Sequence, residues 1–300
     1  MKILLPTIFL LTMLQAFGQF DYELFQQYAD KSTRQQNISI NTVTELQLLV
    51  DGKWVKTLVQ QFNAQGLPTT LVQFDQQGGE TEKKEFLYDP NGQISKIESY
   101  KGGNHFSSTE FNVNENGQIT SYADYVYSSL GGEKMDLWKT YLNYNFNKTL
   151  KKIIKTQSNH KDTTEINFFD TLGVPVKSLW NQGGLRTTKI EYVWSKNRTE
   201  MKEMHYENDT SIYTTVTHKY KDNKEVEKID PSTSPKPFYW KYDKSGRVLE
   251  TNEAFFYILY FTYNSDGRIA SKTMNVLFSD SDEKDLPKKI QFKYEYQVRK

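Results

Sequence analysis

The chain has 300 residues, of which 37% are hydrophobic and 14% aromatic, with 20 Tyr, 18 Phe, 5 Trp and no cysteine. Beyond residue 18 the charges balance at 37 basic against 37 acidic groups, which leaves no electrostatic footprint for nucleic acid or an anionic membrane. Lacking cysteine, the chain has no disulfides, thiolate nucleophiles, thiolate zinc sites or lipid anchor on a cysteine, and its many aromatics with few aliphatics favour a half-buried sheet over a helix bundle.

Met1 to Gly18 reads as a secretory signal: Lys2 supplies the positive end, Ile3 to Leu14 the apolar run, and Ala16-Phe17-Gly18 the cleavage site. The run is shorter than the roughly 20 residues a membrane span requires, and no later stretch is apolar enough to cross. In Phe20 to Asp30, Tyr22, Phe25, Tyr28 and Ala29 recur near a helical period. This predicts a short N-terminal helix or cap within residues 19–37. From Ile38 the pattern alternates, through Ile40, Leu46, Leu48 and Val50 to Asp51-Gly52, a short hairpin signal, with Trp54-Val55 returning.

A repeated unit then takes over, from about residue 59 to 274. An aromatic residue is followed by Asp or Asn, two or three polar residues, Gly, and an aliphatic return strand. Its clearest copies are Tyr88-Asp89-Pro90-Asn91-Gly92, Tyr242-Asp243-Lys244-Ser245-Gly246 and Tyr263-Asn264-Ser265-Asp266-Gly267. Further copies run through Phe62 to Gly66, Phe74 to Gly78, Val113 to Gly117 and Phe169-Asp170 to Gly173. Asp or Asn bonds back to the turn backbone, and Gly takes the left-handed position without steric cost. Trp194 to Arg198 and Tyr220 to Lys224 are copies in which Asn197 and Asn223 are expected to stand in for that glycine. Spacings of 26, 25 and 21 residues from Gly66 to Gly92, Gly92 to Gly117 and Gly246 to Gly267 predict serial hairpins, each burying its face against the next. The expected fold is all-β: one repeat domain over 38–300, forming a curled antiparallel sheet or spiral. Pro231 to Pro237 is a loop between repeats, and a capping strand occupies about 288–297.

With Tyr-Asp-x-x-Gly-Arg-Val at Tyr242 to Val248 and Tyr-Asn-x-Asp-Gly-Arg-Ile at Tyr263 to Ile269, the chain resembles the YD-repeat (RHS-repeat) family across most of Phe62 to Met274. That resemblance implies a bacterial secreted or surface protein and a curled β-shell. Large members enclose a toxin domain. This chain has no autoproteolysis core motif or C-terminal toxin segment, so it resembles a small stand-alone member and encapsulation is not carried over. MORN-like repeats are a rival resemblance, with a two-glycine spacing that most copies here lack.

The sequence offers little chemistry. His105, His160, His205 and His218 form no HxH, HxxxH or HExxH pair, and no nucleophile elbow, P-loop or dinucleotide fingerprint occurs. No catalytic, cofactor or metal residue is assigned. Asp280, Asp282, Glu283 and Asp285 are calcium-type ligands in composition, but they lack the glycine and spacing of a calcium loop and read as a solvated acidic loop. The recurring Asp89, Asp170 and Asp243, with Gly92, Gly117, Gly173, Gly246, Asn264 and Gly267, are read as turn residues rather than as a glycosidase carboxylate pair. Trp54, Trp138, Trp180, Trp194 and Trp240 are spread along the chain and read as packing groups, with stacking of Tyr and Trp against sugar rings as the alternative. The expectation is a non-enzymatic exported envelope protein, binding or scaffolding an unknown protein or glycan. A hydrolase of envelope polysaccharide, or a toxin-associated factor, is the alternative class. An outer-membrane barrel is disfavoured by the charges on its strands.

Overall fold

The computed structural model describes residues 34–35, 37–49, 51–128, 133–145, 149–157, 163–182, 186–207, 211–233, 236–254, 257–277 and 289–299. Among these residues there are 20 strands. The first five are β1 (Ile40–Leu48), β2 (Trp54–Phe62), β3 (Pro68–Phe74), β4 (Glu80–Tyr88) and β5 (Ile94–Lys101). Then come β6 (Asn104–Val113), β7 (Ile119–Tyr127), β8 (Lys134–Tyr144), β9 (Leu150–Gln157) and β10 (Thr163–Phe169). β11 (Pro175–Gln182), β12 (Arg186–Trp194), β13 (Glu200–Glu207), β14 (Ser211–Lys221) and β15 (Lys224–Ile229) follow. The last are β16 (Phe238–Tyr242), β17 (Val248–Ala254), β18 (Tyr257–Tyr263), β19 (Ile269–Val276) and β20 (Lys289–Val298).

Every strand pairs antiparallel with its neighbours in sequence, and β1 also pairs with β20 from Ile40↔Val298 to Gln47↔Phe292. The sheet is therefore a closed up-and-down barrel, which corrects the expected open curled sheet or spiral. Over the stretch expected as a capping strand, β20 is bonded on both sides, to β19 and to β1. The physical reason is the cost of edges, since an open array leaves two rows of unpaired backbone groups that closure removes. The expected helix over residues 20–30 lies outside the described residues. Before β1 there is one helical turn, with Ile38 N–H donating to Arg34 O at 3.0 Å.

The turns repeat one geometry. At β4–β5 the Asp89 Oδ1 accepts the N–H groups of Asn91 (2.9 Å) and Gln93 (2.8 Å), Gly92 N–H donates to Asp89 O, and Gly92 sits at φ +76°. Asp170 and Asp243 make the same pairs of bonds, to Leu172 and Val174 and to Ser245 and Arg247. Those backbone donors, the first causes of the shift, hold both carboxyls below the usual carboxylate range. In the β12–β13 turn the left-handed residue is Arg198 (φ 55°), not Asn197, whose Oδ1 instead accepts from the Ser195 and Thr199 hydroxyls. Asn223 does adopt φ 60°, beside Asp222 at 52°.

The turns at Asp89, Asp170 and Asp243 are each followed by a β-bulge. Tyr88 pairs with Ile94 and Leu87 with Lys96, so Ser95 is the extra residue, and its hydroxyl donates to Leu87 O at 3.1 Å. The bulge puts residues three apart on one face, which is why Ile94 and Ile97, Ile119 and Tyr122, and Leu150 and Ile153 all pack into one core with Leu71, Phe86, Phe111 and Leu142. Tyr257, Leu259, Met274, Ile290 and Phe292 form a second core on β18–β20. In a closed ring this converging, buried face is the inner one. The aromatic before the turn also ties one repeat to the previous one, and Tyr296 within the last strand makes the same kind of tie. Tyr88, Tyr144, Tyr242, Tyr263 and Tyr296 donate their hydroxyls to the carbonyls of Pro68, Ile119, Glu225, Val248 and Ile269.

Gly66 sits at φ +74° with an added Cβ only 2.3 Å from the backbone oxygen of Arg34, whereas Gly52 (φ +82°) faces open space. Gly52→Ala is expected to cost only the left-handed strain of about 1 kcal/mol, and Gly66→Ala more than about 2 kcal/mol. Urea midpoints measure both, and equal losses would show that the Arg34 turn does not pack on Gly66.

Candidate functional site

Two places on the barrel gather groups able to do chemistry or bind a ligand, one on each face. On the inner face, β13, β14 and β15 bring together residues with no local sequence motif. The pairing of Met201 with His218 and Glu203 with Val216 sets Glu203 diagonally beside His218, and the pairing of Tyr220 with Glu225 sets Glu225 on its other side. His218 Nδ1 lies 2.6 Å from Glu225 Oε1 and its Nε2 3.3 Å from Glu203 Oε2. Glu203 also contacts His205 Nε2 at 2.7 Å, and His205 Nδ1 lies 3.4 Å from the Tyr213 hydroxyl.

His218 is 8% exposed. Burial alone would lower its pKa, but Glu203 and Glu225 outweigh that and raise it to about 9. The hydrogen bond from His218 in turn holds Glu203 below the usual carboxylate range. This cluster thus contains the two converging carboxylates, outside the turns, that a hydrolase would need. The shifts of His218 and Glu203 run the wrong way for it. A general base near neutral pH needs a free lone pair and a pKa near 7, and a general acid needs a raised carboxyl. Here the imidazole is charged with both nitrogens engaged, and the Glu203 carboxyl is lowered. The chemistry available to the group is that of a buried ionic clamp.

On the outward face, β5 to β8 carry long polar side chains around two short ones. The register Lys96↔Glu110, Glu110↔Ala123 and Ala123↔Lys139 makes a row of charges interrupted by a methyl group. In the adjacent row Ser121 lies between Asn112 and Tyr141. The short pair Ala123 and Ser121 leaves a depression of about 540 Å³, walled by Tyr125, Tyr141, Lys96, Glu110, Asn112 and Lys139. Tyr141 is 44% exposed. Nearby, the rings of Tyr100, His105 and Tyr127 stack at 5.1 and 3.9 Å between centroids. Glu110 receives Lys134 at 2.8 Å and Lys96 at 3.9 Å, and Lys134 also covers the Tyr125 ring at 3.6 Å.

The rest of the outward surface is similarly charged. Lys83–Glu85, Lys96–Glu98, Lys189–Glu191, Lys219–Glu227 and Lys241–Glu250 pair along it at 2.5 to 3.2 Å. No helix among the described residues is long and apolar enough to cross a membrane, which says nothing of strands.

Of the residues singled out in sequence, the turn aspartates stay at separate turns around one rim, and no two are brought together into a site. Asp280, Asp282, Glu283, Asp285 and His160 lie outside the described residues. Among the described residues no group of three or more His, Asp or Glu side chains is placed to hold a metal. Trp180 and Trp54 are partly exposed, and the Trp194 ring packs at 5.1 Å on Tyr220, so the tryptophans form no row.

The chain matches no protein-family model and no curated protein. Among solved structures it is similar to a porin-like protein from Bacteroides uniformis, at 10% identity and a TM-score of 0.38, over 86% of this chain and 98% of that one. It is also similar to a structure of the Photorhabdus luminescens Tc holotoxin pore, at 11% identity and a TM-score of 0.31, over 80% of this chain and 17% of that one. Both likenesses are too loose to transfer an activity.

Proposed function

We propose that this is an exported, non-catalytic barrel of the cell envelope that stands in water and binds a glycan or protein partner through the outward face of β5 to β8. Export rests on Met1 to Gly18, whose signal pattern directs the chain across a membrane. The observation that carries the rest is the outward face itself. A lipid-facing strand needs an apolar band about 25 Å tall, and here ladders of Lys–Glu pairs run along the outside, several residues deep on successive strands. The same face holds the depression beside Tyr141, while on the inner face Glu45 is engaged with Lys272 and His218 with Glu225 and Glu203.

Fractionation tests the reading. The mature protein is expected in the envelope extract without detergent and to release no reducing ends from isolated envelope polysaccharide. A requirement for detergent would overturn it in favour of a membrane-inserted barrel. Reducing ends whose release is lost in Glu203→Gln would overturn it in favour of the hydrolase.

A further inference from the structure

The depression on β5 to β8 has a chemistry of its own. Its floor is Ala123 and Ser121, and its walls offer one flat apolar ring face, on Tyr141, with polar groups around it. Asn112 Nδ2 donates to Ser121 Oγ at 2.9 Å, which leaves the Asn112 carbonyl oxygen to accept and the Ser121 hydroxyl to donate. A ring face beside paired donors and acceptors suits a sugar, whose C–H face stacks while its hydroxyls need both kinds of partner. The charges select further. Glu110 is neutralised by Lys134 and Lys96. Lys139, across the depression, has no carboxylate within ion-pair distance among the described residues. The site thus has one uncommitted positive charge, placed next to Tyr141 along β8.

We propose that this depression is a saccharide subsite selective for acidic sugars, with the pyranose on Tyr141, hydroxyls on Asn112 and Ser121, and the sugar carboxylate at Lys139. It rests on the reading of β5 to β8 as the binding face. The lysine is the specificity-determining residue, because a charge-assisted bond to a carboxylate is about twice as strong as a neutral one.

Calorimetry on the mature chain tests this with two probes, a tetramer of galacturonic acid and the matched neutral galactose tetramer. The acidic tetramer is expected to bind at least tenfold tighter, and Lys139→Gln to remove that preference, a loss of about tenfold for the acidic probe only. Ala123→Leu fills the depression and is expected to abolish binding of both probes with the urea midpoint unchanged. Equal affinity of the two tetramers in the unmodified protein would overturn the acidic assignment. Full binding by Ala123→Leu would overturn the site. Binding of neither tetramer, with an envelope protein partner captured by the unmodified chain and lost in Ala123→Leu, would overturn the saccharide proposal and leave the binding face standing.

Discussion

Replacing Glu45 by Ala is expected to destabilise the barrel by about 3 kcal/mol, at the seam where β1 meets β20. Glu45 is 8% exposed on the inner face of β1. Its carboxylate accepts from Lys272 Nζ at 2.9 Å, from the Tyr294 hydroxyl, and from Thr57 Oγ1 at 3.0 Å. One group therefore ties β1 to β2, β19 and β20, the strands that close the ring. Burial would raise the Glu45 carboxyl, but Lys272, Tyr294 and Thr57 outweigh it and hold it below its ordinary value. A lowered carboxyl adds stability that is present above about pH 4.5 and lost as the pH falls through its folded value. Removing one partner of such a pair leaves the other, Lys272, half-buried and without its carboxylate, and that residual charge is the main cost. The double variant Glu45→Gln with Lys272→Met is accordingly expected to recover part of the loss, and a double-mutant cycle of urea midpoints measures how much. A cost below about 1 kcal/mol for Glu45→Ala would mean that backbone pairing alone holds the seam.

The same seam marks the boundary of what the sequence reveals. Tyr88-Asp89-Pro90-Asn91-Gly92 and its copies are legible because their chemistry is local: an Asx side chain, a left-handed glycine and an aromatic lie within five residues. Closure is not local. Glu45 and Tyr294 are 249 residues apart, and nothing near either of them announces the partner. An open array and a closed ring share the same hairpins and differ only in whether the first and last strands meet. One sign was available. Glu45 falls on the same alternating face as Leu58 and Phe292, and a carboxylate on a buried face requires a cation from somewhere. The bulges were also encoded. Ile94 and Ile97, or Ile119 and Tyr122, stand three apart in strands whose normal period is two, and reading them as plain alternation puts half the return strand on the wrong face.

The candidate sites were hidden for a related reason. Glu203, His205, His218 and Glu225 belong to three strands, and their encounter depends on pairings fixed only to within a bulge. The depression is harder still to see, because it exists where Ala123 and Ser121 are short relative to Glu110, Lys139 and Tyr141 on neighbouring strands. A small residue carries no motif. Its meaning comes from the length of what stands opposite.

Raising the pH from 6.5 to 9 is expected to weaken the fold by on the order of 3 kcal/mol through His218 alone. The sign follows from the direction of its shift. His218 titrates at about 9 in the barrel against 6.5 when unfolded, so the folded state binds the extra proton. The resulting stability is complete below 6.5 and is lost as the pH climbs through the folded value. Tyr220, which faces the same Glu225 and Glu203, is pushed up to about 12, first by burial, and stays neutral throughout the window. Urea midpoints at pH 6 and pH 9 give the loss in the unmodified chain. His218→Gln should be less stable at pH 6 and show little change between the two pH values, and the difference between the chains isolates this group from the other histidines. A similar pH dependence in both chains would mean that Glu203 and Glu225 do not hold a charged imidazole. His218 would then be a neutral base beside two carboxylates, and the case for a hydrolytic site on the inner face of β13 to β15 would reopen on the same residues that now argue against it.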